Sequence, residues 1–272
     1  MVVDFLNELK DRNAALFYFG WVCLVAAFAF LAATRVSHVL VYEVNAWYKP
    51  FKFAFSTVLF SWAMAWYIHY LPQFPTATFN GVVILLLGFE IVYIAWQASR
   101  GQPSHYNTST PFFAVMFSLM AVAATVVTLF VAYAGWLFFQ HEWPELPGYY
   151  VWSIRLGICI FVVFSLEGFA MGSRLSHSVG AVNDNSNLWV LGWSRTVGDL
   201  RVAHFIGMHA LQVLPLLAYF LLKSTRLTIG LSALYAALAV FTLVQALQGK
   251  PLWGSAEGPR GKNRAESEQV GA

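Results

Sequence analysis

The sequence predicts an all-α polytopic membrane protein with seven transmembrane helices, and three observations carry that reading. The 272-residue chain is 59% hydrophobic and only 11% charged, far below the roughly one-quarter charged content of a soluble domain. Its apolar residues collect in seven runs, most of them near the roughly 20 residues that a bilayer demands of a helix. The runs lack the alternation of barrel strands, which leaves helices as the way to satisfy backbone groups in lipid.

In order, residues 1–13 mix Asp4, Glu8, Lys10, Asp11 and Arg12 with Phe5, Leu6 and Leu9, a pattern suited to a short interfacial helix. Ala14 to Thr34 is the first span; its long core and mixed-charge start make it an uncleaved helix rather than a signal peptide. The others run Phe51–Leu71, Phe79–Ala98, Pro111–Phe138, Tyr149–Gly172, Val202–Leu222 and Leu227–Leu247. Pro50 and Pro111 mark helix starts, where a missing N–H costs nothing, while Pro215 lies within the sixth span and should kink it. Residues 1–248 read as one domain. From Gly249 the chain turns to Gly, Pro, Lys, Arg and Glu, so 249–272 is expected to be a disordered tail. The polar stretch Asn183–Asn187 reads as a loop, and Trp189, Leu191 and Trp193 as interfacial residues.

Eleven of the 16 lysines and arginines fall at one end of the bundle, including Arg35, Lys49, Lys52, Arg100, Arg174, Arg195 and Arg201. The positive-inside rule places that end and the C-terminus in the cytoplasm, with the N-terminus outside. A net charge of +3 and the lack of a zinc-finger spacing, P-loop or dinucleotide fingerprint give no reason to expect nucleic acid as a partner. Membrane lipid and a small-molecule or lipid-like ligand are the expected partners. Cys23 and Cys159 both lie in apolar runs and read as buried free thiols.

Three corners at the basic end resemble one another. Arg35-Val-Ser-His38 ends the first span, Arg100-Gly-Gln-Pro-Ser104-His105 the third, and Arg174-Leu-Ser176-His177 the fifth. They suggest three two-helix hairpin repeats plus one helix, and the interface between such repeats is a frequent place for a site.

Ionisable residues at membrane depth are expensive and tend to face protein, water or a ligand. Glu90 and Glu167 lie inside the third and fifth spans and are the candidate catalytic acid–base groups. Glu90, Tyr93 and Gln97 share one helical face, and Glu167 and Arg174 stand two turns apart on another. His204 and His209 lie in the sixth span, five residues apart. That spacing turns them about 140° from each other, too far to chelate one ion as an i, i+4 pair does. They are nonetheless the candidate metal or haem ligands, His209 the deeper of the two. Arg35, His38, Gln97, Arg100, His105, Arg174, His177 and Gln212 are the candidate ligand-binding residues around them. Positive-inside bias accounts for the lysines and arginines, though not for the interior glutamates and histidines.

Three functions follow. The first is a metal- or haem-binding membrane enzyme acting on a lipid-soluble or anionic substrate, its cofactor a divalent metal or haem. The second is a proton-coupled transporter of an organic anion. The third is a structural or sensor membrane protein.

Overall fold

Eight α-helices and two pairs of two-residue strands make up the computed structural model, which describes residues 2–42, 44–180, 188 and 190–253. α1 (Val2–Arg12) is followed by α2 (Ala14–Val36), α3 (Tyr48–Ile68), α4 (Thr76–Ser99), α5 (Pro111–Gln140), α6 (Gly148–Ser173), α7 (Arg201–Leu217) and α8 (Thr225–Leu247). The seven from α2 to α8 are each long and apolar enough to cross a membrane, with α7 counted through Leu222. The chain is therefore an integral, multi-pass membrane protein, and its spans agree with those expected to within about a turn. The expected tail lies mostly outside the described residues, as do the Asn183–Asn187 stretch and Trp189.

Local chemistry sets the helix limits. Asn13 caps α2 by accepting the Leu16 amide at 3.0 Å, and its amide group pairs reciprocally with Asn80 of α4 at 2.9 and 3.0 Å. Thr110 caps α5 through the Phe113 amide, with Pro111 at the first helical position. α3 begins at Tyr48 rather than Phe51, because Pro50 is tolerated anywhere in a first turn whose amides have no helical partner. α8 ends on Gly249 at φ +74°, with Gly249 N–H bonding Ala246 O and Lys250 N–H bonding Gln245 O, the glycine-closed arrangement that satisfies the last carbonyls.

α1 lies beside α2 and α3 and buries Leu9. Its Arg12 stacks over Trp66 and Tyr70 at 3.9 and 4.8 Å, an amphipathic anchor of the kind found at an interface. The largest core joins α1–α7 around Phe60, Met64, Ile68, Phe79, Val131, Phe138, Ile154 and Leu211. Large apolar side chains such as Val25, Phe28, Leu129, Leu234 and Phe241 point outward, where lipid tails are the natural solvent. Cys23 is buried, whereas Cys159 is exposed on this apolar exterior, against expectation; both are free.

α6 and α7 pack closely. A Cβ on Gly207 would stand 2.1 Å from the Phe164 ring, so only glycine permits this approach. Pro215 cannot donate to the carbonyl of Leu211. Tyr67 of α3 donates to that carbonyl instead, at 2.9 Å, and ties α3 to α7 one turn before Pro215. Beyond it, α7 continues as a π turn over Ala218–Leu222 and stops at Lys223, which takes φ +45°.

Candidate functional site

Three connections, α2–α3, α4–α5 and α6–α7, lie at the basic end and form its floor. The first contains the antiparallel pair β1 (Leu40–Val41) and β2 (Val44–Asn45), the third the pair β3 (Ser178–Val179) and β4 (Gly198–Asp199). Two-residue strands are too short to leave an alternation in sequence, so the sequence reading contained neither pair.

The mouth of α7 is fixed by one ion pair. Arg201, the first residue of α7, meets the Asp199 carboxylate side-on: Nε to Oδ1 is 2.9 Å and Nη2 to Oδ2 is 2.6 Å. The same carboxylate accepts the backbone amides of Ser194 and Arg201 at 2.9 and 3.1 Å, and Arg201 Nη2 also donates to Gly192 O. Burial alone would push the Asp199 carboxyl up, but Arg201, His177 and the Ser194 amide outweigh it and hold it below the usual carboxylate range. Lys52 of α3 donates to Leu191 O at 2.8 Å, on the same strand of loop.

Lys49, one turn earlier, behaves differently. It interacts electrostatically with Glu90, Lys52 and Arg201 and with His105 and His177. Its Nζ lies 6.0 Å from the Phe53 ring. Among the described residues it makes no hydrogen bond or ion pair.

Two loop histidines close over this group. His105 contacts Ser104 Oγ at 3.2 Å and sits edge-on to Phe53 at 5.5 Å. Burial, then Lys49 and His204, holds its imidazole well below the usual range. His177 lies 6.3 Å from the Tyr106 ring, and burial, followed by Arg201, lowers it to about 4 despite the opposing Asp199. Tyr106 is pushed up to about 12, chiefly by burial. It also feels the charges of Arg201, Glu167 and Asp199.

The acids stand deeper. Counted at 1.5 Å per residue, Glu167 is about 9 Å inward from the end of α6 and Glu90 about 14 Å inward from the end of α4. Glu167 Oε2 is 3.3 Å from His204 Nδ1, but that nitrogen makes its hydrogen bond to Phe164 O at 2.7 Å. Both Glu167 oxygens, Glu90 Oε1, Gln97 Oε1 and Gln212 Oε1 are buried without a hydrogen-bond donor. Gln97 uses its amide nitrogen on Tyr93 Oη at 3.0 Å. Buried acceptors left unpaired are costly, so each needs a reason to be there.

The expected site residues therefore divide. Glu167 and His204 are in contact at 3.3 Å, while Glu90, His105 and His177 lie within electrostatic range of Lys49. Gln97 lies along the same buried face of α4 as Glu90. Arg35, His38, Arg100 and Arg174 are exposed at the rim, with Arg100 spread over Trp96 and Phe113 at 4.6 and 5.7 Å. Glu167 turns to His204 rather than Arg174. His209, beside Gln212, packs edge-on at 4.3 Å against Phe205, whose ring is exposed. Lys49, Lys52, Asp199, Arg201 and Tyr106 were not among the candidates. In sequence the lysines and Arg201 are indistinguishable from the basic residues that the positive-inside rule requires at this end.

No three His, Cys, Asp or Glu side chains among the described residues gather closely enough to hold a metal ion. The expected metal or haem iron at His204 and His209 thus finds no support: one imidazole is engaged by Phe164 O and Glu167, the other by Phe205. Set against known protein families, curated proteins and solved structures, the chain matches none of them.

Proposed function

We propose that the protein is a proton-coupled carrier of an organic anion and that the anion binds at Lys49, with Lys52 and Arg201 beside it. The observation that carries this reading is the Lys49 ammonium, which makes no hydrogen bond or ion pair among the described residues and lies near two other cations, Lys52 and Arg201, of which Arg201 pairs with Asp199. A partly buried cation without a partner is a poor structural element and a good ligand contact. The interior carboxylates would take up protons, and α7, which carries Arg201 and His204, contains Pro215 and passes into a π turn at Ala218–Leu222, a natural point for the helix to bend. The basic end is then cytoplasmic, as the positive-inside rule requires.

Uptake into proteoliposomes tests this. With the interior alkaline, labelled succinate or ethyl phosphate should accumulate above empty liposomes, and Lys49→Gln should abolish the accumulation. Uptake equal to that of empty liposomes would overturn the carrier. A second reading, an enzyme acting on the same ligand, rests on the Glu167–His204 contact, which resembles a base held by its orienting carboxylate. It predicts a chemically altered product, detectable by mass spectrometry, where the carrier returns its ligand unchanged.

A further inference from the structure

Away from the basic recess, a cleft of about 180 Å³ opens at the opposite end of the bundle. Gly148, Val151, Trp152 and Arg155 of α6 line it, together with Glu142 and Trp143 of the preceding connection. Space of this order admits a group the size of a benzene ring. Arg155 stands about 10 Å along α6 from Gly148, a depth at which an unpartnered cation is costly. Its Nε and Nη2 donate to Phe138 O and His141 O at 2.9 and 3.1 Å. Both acceptors are neutral. Among the described residues Nη1 donates to nothing and no carboxylate pairs with the guanidinium. Phe139 and Trp152 flank it at 5.2 and 5.3 Å, so the fork is held in place and keeps spare donors at the cleft.

The remaining surroundings select the ligand. Glu142 is exposed and likewise makes no ion pair among the described residues, so the lining carries one charge of each sign. Toward the bilayer interior, Trp136 and Phe139 share a face of α5 and are 55% and 45% exposed. Phe139 lies 6.3 Å from Trp152, which joins that apolar strip to the cleft.

We propose that the cleft binds a zwitterionic phospholipid of the adjacent leaflet, its phosphate on Arg155, its ammonium at Glu142 and Trp143, and an acyl chain along Phe139 and Trp136. A planar guanidinium takes phosphate through paired N–H donors. A primary ammonium donates to a carboxylate and sits well against an indole. An anionic lipid would bring a second negative group to Glu142. The cleft shares no residue with the Lys49 recess, so either site can fail alone.

Native mass spectrometry of the full-length protein in detergent, titrated with phosphatidylethanolamine, phosphatidylglycerol and diacylglycerol, is the test. Phosphatidylethanolamine should be retained more tightly than phosphatidylglycerol, and about tenfold or more above diacylglycerol, which lacks the phosphate. Arg155→Gln should weaken its retention about tenfold. Lys223→Gln, at the same end of the bundle but outside the cleft, should not. Glu142→Gln should bring the two phospholipids together. O-phosphoethanolamine, the headgroup without its chains, should bind about tenfold or more weakly than the lipid. The wild-type comparisons need no variant, so an Arg155→Gln protein that fails to fold leaves the test intact. Equal retention of phosphatidylethanolamine and diacylglycerol, or equal losses in Arg155→Gln and Lys223→Gln, would overturn the site. Equal retention of the two phospholipids would overturn the zwitterion assigned to it. O-phosphoethanolamine binding as tightly as the lipid would overturn a phospholipid as its occupant.

Discussion

Two connections at the basic end are built alike and differ in charge. Each is a pair of two-residue strands leading into a helix, and in each the last residue of the second strand pairs with the first residue of the first: Leu40 with Asn45, Ser178 with Asp199. In each, that residue's side chain accepts the amide two positions on, Trp47 or Arg201. Asn45 spends its remaining polar group on the end of α2, donating to Thr34 O and Ser37 O at 3.2 and 2.7 Å. Asp199 spends its own on the Arg201 guanidinium. One corner closes a helix; the other holds an ion pair at the start of the next helix. Similar backbone chemistry thus yields a corner that anchors a helix end or one that fixes an arginine, according to a change from amide to carboxylate.

The comparison breaks most sharply at Asp199→Asn, which gives the third corner the side chain of the first. Removing one partner of a buried ion pair leaves the other uncompensated, and Arg201 retains partial solvent contact, so the loss should be about 3 kcal/mol in detergent unfolding. A loss below about 1 kcal/mol would mean that the carboxylate is dispensable and the contrast empty.

Next comes Gly198→Ala. Its counterpart in the first corner, Val44, carries a side chain without difficulty, but a Cβ on Gly198 would stand 1.9 Å from Ala246 O at the end of α8. Backbone cannot yield as a side chain can, and about 2 kcal/mol or more of destabilisation is expected. Val44→Ala should cost less, through lost apolar contact alone.

Asn45→Ala should cost about 1–2 kcal/mol in detergent unfolding through the hydrogen bonds it withdraws from Thr34 O, Ser37 O and the Trp47 amide. A loss below about 0.5 kcal/mol would leave the first corner without a stabilising role.

The smallest effect is graded with pH. His177 is held at about 4 in the folded chain against an ordinary 6.5, so below pH 6.5 the unfolded chain binds the extra proton. Stability conferred by neutral His177 is complete above about 6.5 and is lost progressively as pH falls toward 4. Unfolding midpoints followed across that window should decline, and His177→Gln should flatten the part due to this residue.

Much of the architecture was legible because lipid imposes one rule on every span. Apolar length alone located α2–α8, and the Arg201 to Pro215 stretch stood out by its histidines. Side-chain direction was less accessible. Arg35, Arg100 and Arg174 look like Arg201 in sequence, yet they are exposed while Arg201 is bound to Asp199, a distinction set by loop geometry that no helical period encodes. Lys49 does not stand out in sequence because a lysine at a span edge already satisfies the positive-inside rule. The three-hairpin repeat reads well in two corners, but the described connection between α4 and α5 has no strand pair, so a threefold repeat is not shown. Asn107 there does keep the local pattern, accepting the Ser109 amide at 3.2 Å.

The central claim, that Lys49 is an anion contact rather than a topological marker, is tested most directly by equilibrium binding of ethyl phosphate to the purified protein and to Lys49→Gln. Saturable binding that weakens about tenfold or more in the variant is the predicted result. Equal affinity in the two proteins, with both folded, would contradict it.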